Sequence, residues 1–168
     1  MTVLGLLVSF GAASVVAQDH LLVGGLLLLF SGVFDLLDGP LARAKGASTK
    51  FGAFLDSAVD RLSEAALLFG LLLLYHWKGS SSAEVGLIYA ALVGSLMVSY
   101  MRARAEGLGI KCDVGIFTRP ERVLVLAVGL VVGQFYEAGI LVALGIISGL
   151  AWITVIQRFV HVRRQTEE

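Results

Sequence analysis

Six apolar stretches divide the chain: residues 2–18, 20–44, 50–76, 84–107, 119–136 and 138–162. Each is close to the roughly 20 residues that carry a helix across a bilayer. Short polar or glycine-bearing segments separate them: Gln18-Asp19-His20, Lys45-Gly46-Ala47-Ser48, Lys78-Gly79-Ser80-Ser81-Ser82, Gly107-Leu108-Gly109 and Glu137-Ala138-Gly139. No stretch alternates polar and apolar residues as a barrel strand does. Backbone groups in lipid must be satisfied within the spanning element, so helices are the remaining solution. The pattern predicts an all-α, polytopic membrane protein. It is expected to be one domain over 1–168, with six transmembrane helices around a cytosol-facing polar cavity and no internal repeat.

Composition supports this reading. Hydrophobic residues make up 57% of the chain and charged residues 15%, which excludes an ordinary soluble domain. The first stretch has neither a basic n-region nor a clear small-residue cleavage site, so no cleavable signal peptide is expected. The single cysteine, Cys112, permits no intramolecular disulfide and reads as a small core or loop residue.

Thirteen Lys and Arg balance thirteen Asp and Glu, but their distribution is uneven. With the spans taken alternately, one side holds Arg43, Lys45, Lys50, Arg102, Arg104, Lys111, Arg119, Arg122, Arg158, Arg163 and Arg164. The other holds only Lys78. A bias of this size marks the crowded side as cytoplasmic. Tyr75, Trp77, Phe135 and Tyr136 fall near the opposite face, where an aromatic belt is expected. The tail from Arg158 to Arg164 reads as a basic patch suited to anionic headgroups.

Against this background, four carboxylates stand out: Asp35, Asp38, Asp56 and Asp60. A charged Asp at the bilayer centre costs about 3 kcal/mol or more, so acids at membrane depth are functional candidates. Asp35 and Asp38 are three residues apart, and Asp56 and Asp60 four apart, so each pair shares a helix face. Two such faces brought together make a pocket of hard oxygen ligands, suited to Mg²⁺ or Mn²⁺. All four lie toward the cytoplasmic ends of the second and third spans. Gly39, Ala42 and Gly52 are small residues in the same run, suited either to close approach by a ligand or to helix packing. Arg43 offers a planar donor fork to a phosphate. Within the third span, Arg61 reads chiefly as charge compensation, and Glu64 follows Asp60 by one turn.

The unbroken pattern D-x2-D-G-x2-A-R-x8-G-x3-D-x3-D, from Asp35 to Asp60, resembles the signature of the CDP-alcohol phosphotransferase family. The six-span layout extends the resemblance over most of the chain. It implies an integral membrane enzyme that transfers a phosphatidyl-type group from a CDP-lipid to an alcohol and releases CMP. It further implies that Asp35, Asp38 and Asp56 hold two divalent cations, Mg²⁺ or Mn²⁺. Asp60 would join them or act as general base, the role preferred here. Asp38, Gly39, Ala42, Arg43 and Gly52 would receive the CDP part of the donor. A homodimer is implied, and no nucleic-acid partner is expected. The amphipathic juxtamembrane helix usual before the family's first span is not visible in this sequence.

The acceptor is read from the second half of the chain. Arg102, Arg104, Arg119 and Arg122 would converge near the carboxylates, and four arginines there favour an anionic acceptor such as a phosphorylated polyol. The strings Ser99-Tyr-Met-Arg102-Ala-Arg104-Ala-Glu106 and Arg119-Pro-Glu-Arg122 are similar to the branch of the family that makes phosphatidylinositol phosphate and its archaeal-lipid counterpart. That likeness implies inositol 3-phosphate. Glycerol-3-phosphate, the acceptor of a phosphatidylglycerol-phosphate synthase, is the competing choice. From a different class, a cation or proton transporter also places Asp within spans, but it predicts midplane acids and inverted repeats.

Overall fold

The computed structural model describes the backbone of residues 2–44 and 49–167, with side chains described for 4–32 and 49–167. Six helices run through the described residues: α1 (Thr2–Ala17), α2 (Leu21–Ala44), α3 (Lys50–Trp77), α4 (Ser82–Gly107), α5 (Arg119–Gly133) and α6 (Ala138–Thr166). They follow the six apolar stretches closely. No strand occurs among the described residues. Two of the helices, Ser82–Gly107 and Ala138–Thr166, are by themselves long and apolar enough to cross a membrane.

Helix starts follow local chemistry. The Thr49 hydroxyl accepts the Gly52 backbone N–H at 3.0 Å, capping α3. The Glu84 carboxylate accepts the Ser81 N–H at 2.5 Å, and Glu121 accepts the Thr118 N–H at 2.8 Å. Both carboxylates sit three residues into their helix, where reaching back to the cap satisfies an otherwise orphaned donor. Pro120 occupies the first turn of α5, where a missing N–H costs nothing.

The helices pack as a closed ring in the order α1, α2, α5, α6, α4, α3 and back to α1. Small residues permit the close approaches. A Cβ on Gly70 of α3 would stand 2.5 Å from the Ala13 carbonyl oxygen of α1, and one on Gly129 of α5 would stand 2.3 Å from the Ala143 Cβ of α6. The main apolar core lies at one end of this ring. It joins Val16, Leu21, Leu71, Tyr75, Ile88, Leu130 and Leu144, all 3% exposed or less. Phe10, Phe30, Phe69, Trp152 and Phe159 instead point outward. At the core end, Lys78 pairs with Asp19 at 2.9 Å and Gln134 accepts the Leu22 N–H at 3.1 Å, latching the connections together.

The connection between α4 and α5 runs from 108 to 118, the interval between the fourth and fifth apolar stretches. Two features differ from the sequence reading. Tyr75 is buried at 2% exposure rather than interfacial, while Trp77, Phe135 and Tyr136 are exposed as expected. Arg158 does not belong to an exposed basic tail. It is 2% exposed, donates from Nε to the Val114 carbonyl at 2.9 Å, and reaches the Val98 carbonyl through Nη1. The same connection is tied to α6 by Ile116 N–H to Gln157 and Phe117 N–H to Thr154, each at 3.2 Å. Gly115 takes φ +128°, a conformation few side chains tolerate. In the same loop Asp113 pairs with Lys111 and Arg102. A hydrogen bond from Lys111, with both positive charges behind it, holds the Asp113 carboxyl below the usual carboxylate range.

Candidate active site

Polar groups increase along α3 in the direction away from the apolar core. Glu64 is buried, Asp60 is half-buried and Asp56 is exposed, at spacings of one helical turn. The i, i+4 spacing puts all three on one face. That face looks toward α5, which is not a neighbour of α3 in the ring. Long side chains span the gap. Arg119 Nη2 lies 3.0 Å from Asp60 Oδ1, with 28% and 22% of the two side chains exposed. One turn deeper, Arg122 grips Glu64 with two parallel bonds, Nε to Oε1 at 2.7 Å and Nη2 to Oε2 at 2.9 Å. This second pair is nearly dry, at 1% and 9% exposure.

A narrow cleft collects Asp56, Asp60, Ser63 and Arg119, with Ser31 from α2 and Gly5 from α1. A wider concavity, about 260 Å³, is at the other end of the bundle, between Asp19, Tyr75, Lys78, Gln134 and Glu137. It gathers none of the residues singled out by the motif. Asp56 and Asp60 offer hard carboxylate oxygens of the kind Mg²⁺ or Mn²⁺ accepts. Among the described residues no three acidic, His or Cys side chains converge. At Asp35, Asp38, Gly39, Ala42 and Arg43, the other residues of the expected cation and donor site, the backbone alone is described.

Gly52 is exposed in the first turn of α3, where an added Cβ would meet the Thr49 hydroxyl at 3.0 Å. Arg61 turns back along its own helix to the Ser57 carbonyl. The four arginines expected around the acceptor do not converge. Arg119 lines the cleft, whereas Arg122 is spent on Glu64 in the interior. Arg102 is drawn to Glu106 at 2.9 Å and Asp113 at 3.1 Å, so it anchors the α4–α5 connection. Arg104 is exposed on α4 and does not line the cleft. The α3–α5 pairing was not foreseen from sequence. Its one visible sign was an acid on α3 one turn beyond Asp60, in a segment otherwise apolar.

The chain belongs to the CDP-alcohol phosphatidyltransferase family, whose model matches residues 1–160. It is 40% identical over 167 residues to the archaetidylinositol phosphate synthase of Methanothermobacter thermautotrophicus, covering 96% of this chain and 80% of that protein. It is 35% identical to the archaetidylinositol phosphate synthase of Pyrococcus horikoshii, covering 99% and 84%. Among solved structures, the phosphatidylinositol phosphate synthase of Mycobacterium tuberculosis in complex with manganese and citrate superposes with a TM-score of 0.88. It shares 33% identity over 96% of this chain and 79% of that one. The same protein with CDP-DAG bound gives a TM-score of 0.83 at 34% identity, covering 96% and 83%. The family is one of enzymes, and the all-helical fold is that of its solved members.

Proposed function

We propose that this protein is a membrane phospholipid synthase that transfers the phosphatidyl-type group of a CDP-lipid to an inositol phosphate, releasing CMP. The observation that carries the reading is the cleft in which Asp56, Asp60 and Arg119 meet at the polar end of the bundle. Relatives that make archaetidylinositol phosphate or phosphatidylinositol phosphate, and a related structure holding CDP-DAG, support the choice of donor and acceptor.

The whole chain acts as one membrane domain of six spans, assembled as a homodimer. Lys50, Arg102, Arg104, Lys111, Arg119 and Arg163 cluster at the cleft end and Lys78 at the other, which favours a cytosolic opening. Asp35, Asp38 and Asp56, with Asp60 beside them, would hold two divalent cations. Asp35 follows the cleft residue Ser31 by four positions. The manganese in a related structure supports the assignment. Bound there, the cations would neutralise the donor diphosphate and the leaving CMP.

The remaining steps belong to side chains of this chain. Asp38, Gly39, Ala42, Arg43 and Gly52 receive the CDP moiety. Arg119 binds the phosphate of the acceptor with a planar fork. Arg104 and Arg102 add positive potential near the cleft mouth and steer the anion toward it. Asp60 takes the proton of the acceptor hydroxyl as its oxygen bonds to the lipid-side phosphorus. The anhydride bond to CMP breaks in the same displacement, so no covalent enzyme intermediate forms.

Incubation of the purified protein with CDP-diacylglycerol, inositol 3-phosphate and Mg²⁺ tests this reading. A lipid product carrying two phosphates, seen by mass spectrometry and abolished by EDTA, is expected. A product formed equally well in EDTA, or one lacking the second phosphate, would overturn the assignment.

A further inference from the structure

Asp60 and Glu64 are four residues apart on α3, and Arg119 and Arg122 three apart on α5. Their two ion pairs are therefore successive rungs between the same two helices. The rungs differ in kind. The outer one joins Arg119 Nη2 and Asp60 Oδ1 at 3.0 Å, between partly exposed side chains in the cleft. The inner one is a fork on a carboxylate, closed on both oxygens and almost fully buried. A bidentate pair constrains both the distance and the rotation of the two helices about each other. Because α3 and α5 are not ring neighbours, the fork ties them directly across the bundle, one turn below the Arg119–Asp60 rung. Buried pairs add little net stability, since desolvation offsets their attraction, so register is the consequence that matters.

We infer that Glu64 and Arg122 form a positioning pair that holds Arg119 in the cleft and thereby sets recognition of the acceptor phosphate. The inference rests on the reading of Arg119 as the residue that binds that phosphate. Neither Glu64 nor Arg122 lines the cleft. They act through α5, where Arg119 stands about one turn from the fork. A displacement of about 1 Å there moves a 3.0 Å contact out of hydrogen-bond range. Misplacement on that scale is enough to lose catalytic efficiency by large factors.

Steady-state kinetics of the full chain with CDP-diacylglycerol, inositol 3-phosphate and Mg²⁺ test the inference, using Arg122→Lys, Glu64→Gln, Arg119→Gln and the Arg119→Gln/Arg122→Lys pair. Arg122→Lys keeps the charge and loses the fork. It is expected to raise the acceptor KM about tenfold while the donor KM stays within about twofold. Glu64→Gln acts in the same direction. Added to Arg119→Gln, Arg122→Lys is expected to raise the acceptor KM no further, since a positioning residue acts through the one it positions. Activity reduced equally at all acceptor concentrations in Arg122→Lys and Glu64→Gln, with acceptor KM unchanged, would overturn the inference and leave a purely structural tie. A raised acceptor KM in Arg119→Gln beside that result confines the failure to the positioning pair. An unchanged acceptor KM in Arg119→Gln removes the underlying reading and the inference with it. Should Glu64→Gln fail to fold, the two Arg122→Lys comparisons decide the matter alone.

Discussion

The two rungs between α3 and α5 use the same chemistry at different depths, and depth decides what each loses on mutation. Arg122→Met would strand the Glu64 carboxylate at 9% exposure without its fork, at a cost of about 3–5 kcal/mol. That loss is measurable as a fall in thermal midpoint in detergent. The double change Glu64→Leu/Arg122→Met removes both charges and is expected to recover most of it, while acceptor use stays impaired. At the cleft, Asp60→Asn is expected to abolish turnover but leave donor affinity largely intact. Asp38→Asn is expected to weaken cation and donor binding together. Titrating CDP-lipid binding calorimetrically separates the two, and equal loss of binding would make Asp60 chiefly a ligand. The spacing of Asp56 and Asp60 was readable because helical periodicity fixes what shares a face. Which arginine meets which acid was not, because periodicity says nothing about the helix standing opposite. Arg122 was read as an acceptor contact beside Arg119, although three residues of rotation and rise carry it into the interior.

Helix starts were legible from the apolar stretches to within two residues for α3, α4 and α5, although the caps Thr49, Ser81 and Thr118 that set them were not read from the sequence. The segment from 108 to 118 was harder to read, since its order comes from α6, more than thirty residues away in sequence. Arg158 looks like any basic residue near a helix end, yet it holds the Val98 and Val114 carbonyls from within. Two consequences belong to this element. Gly115→Ala forces a side chain into φ +128°, with its Cβ 2.6 Å from Thr154 Cγ2, and is expected to loosen the connection. Arg158→Gln removes the guanidinium that spans the two carbonyls. Both variants are expected to be cleaved faster within 108–118 under limited proteolysis. Cleavage at the wild-type rate would show that the remaining ties to Gln157 and Thr154 suffice.

The whole molecule divides its labour between its ends. Apolar packing concentrates where Leu71, Ile88, Leu130 and Leu144 meet, and most of the basic residues gather at the opposite end. The ring order of the helices could not be read from six similar apolar stretches, because several orders bury such faces equally well. The count of helices and their alternation could, and alternation is what sets the proposed orientation. Cysteine placed at Ser80 is expected to react with an impermeant maleimide from outside the cell, and cysteine at Leu108 only after permeabilisation. The native Cys112, at 0% exposure, should contribute little background. The reverse labelling pattern would turn the cleft to the other side of the membrane.

The central claim, transfer to a phosphorylated inositol, is tested most directly by CMP release. Purified protein is given CDP-diacylglycerol or its ether analogue with Mg²⁺, and in separate reactions inositol 3-phosphate, glycerol-3-phosphate, free inositol or serine. The account expects CMP with inositol 3-phosphate and little with the others. CMP formed with glycerol-3-phosphate or free inositol instead, or with no acceptor at all, would contradict it.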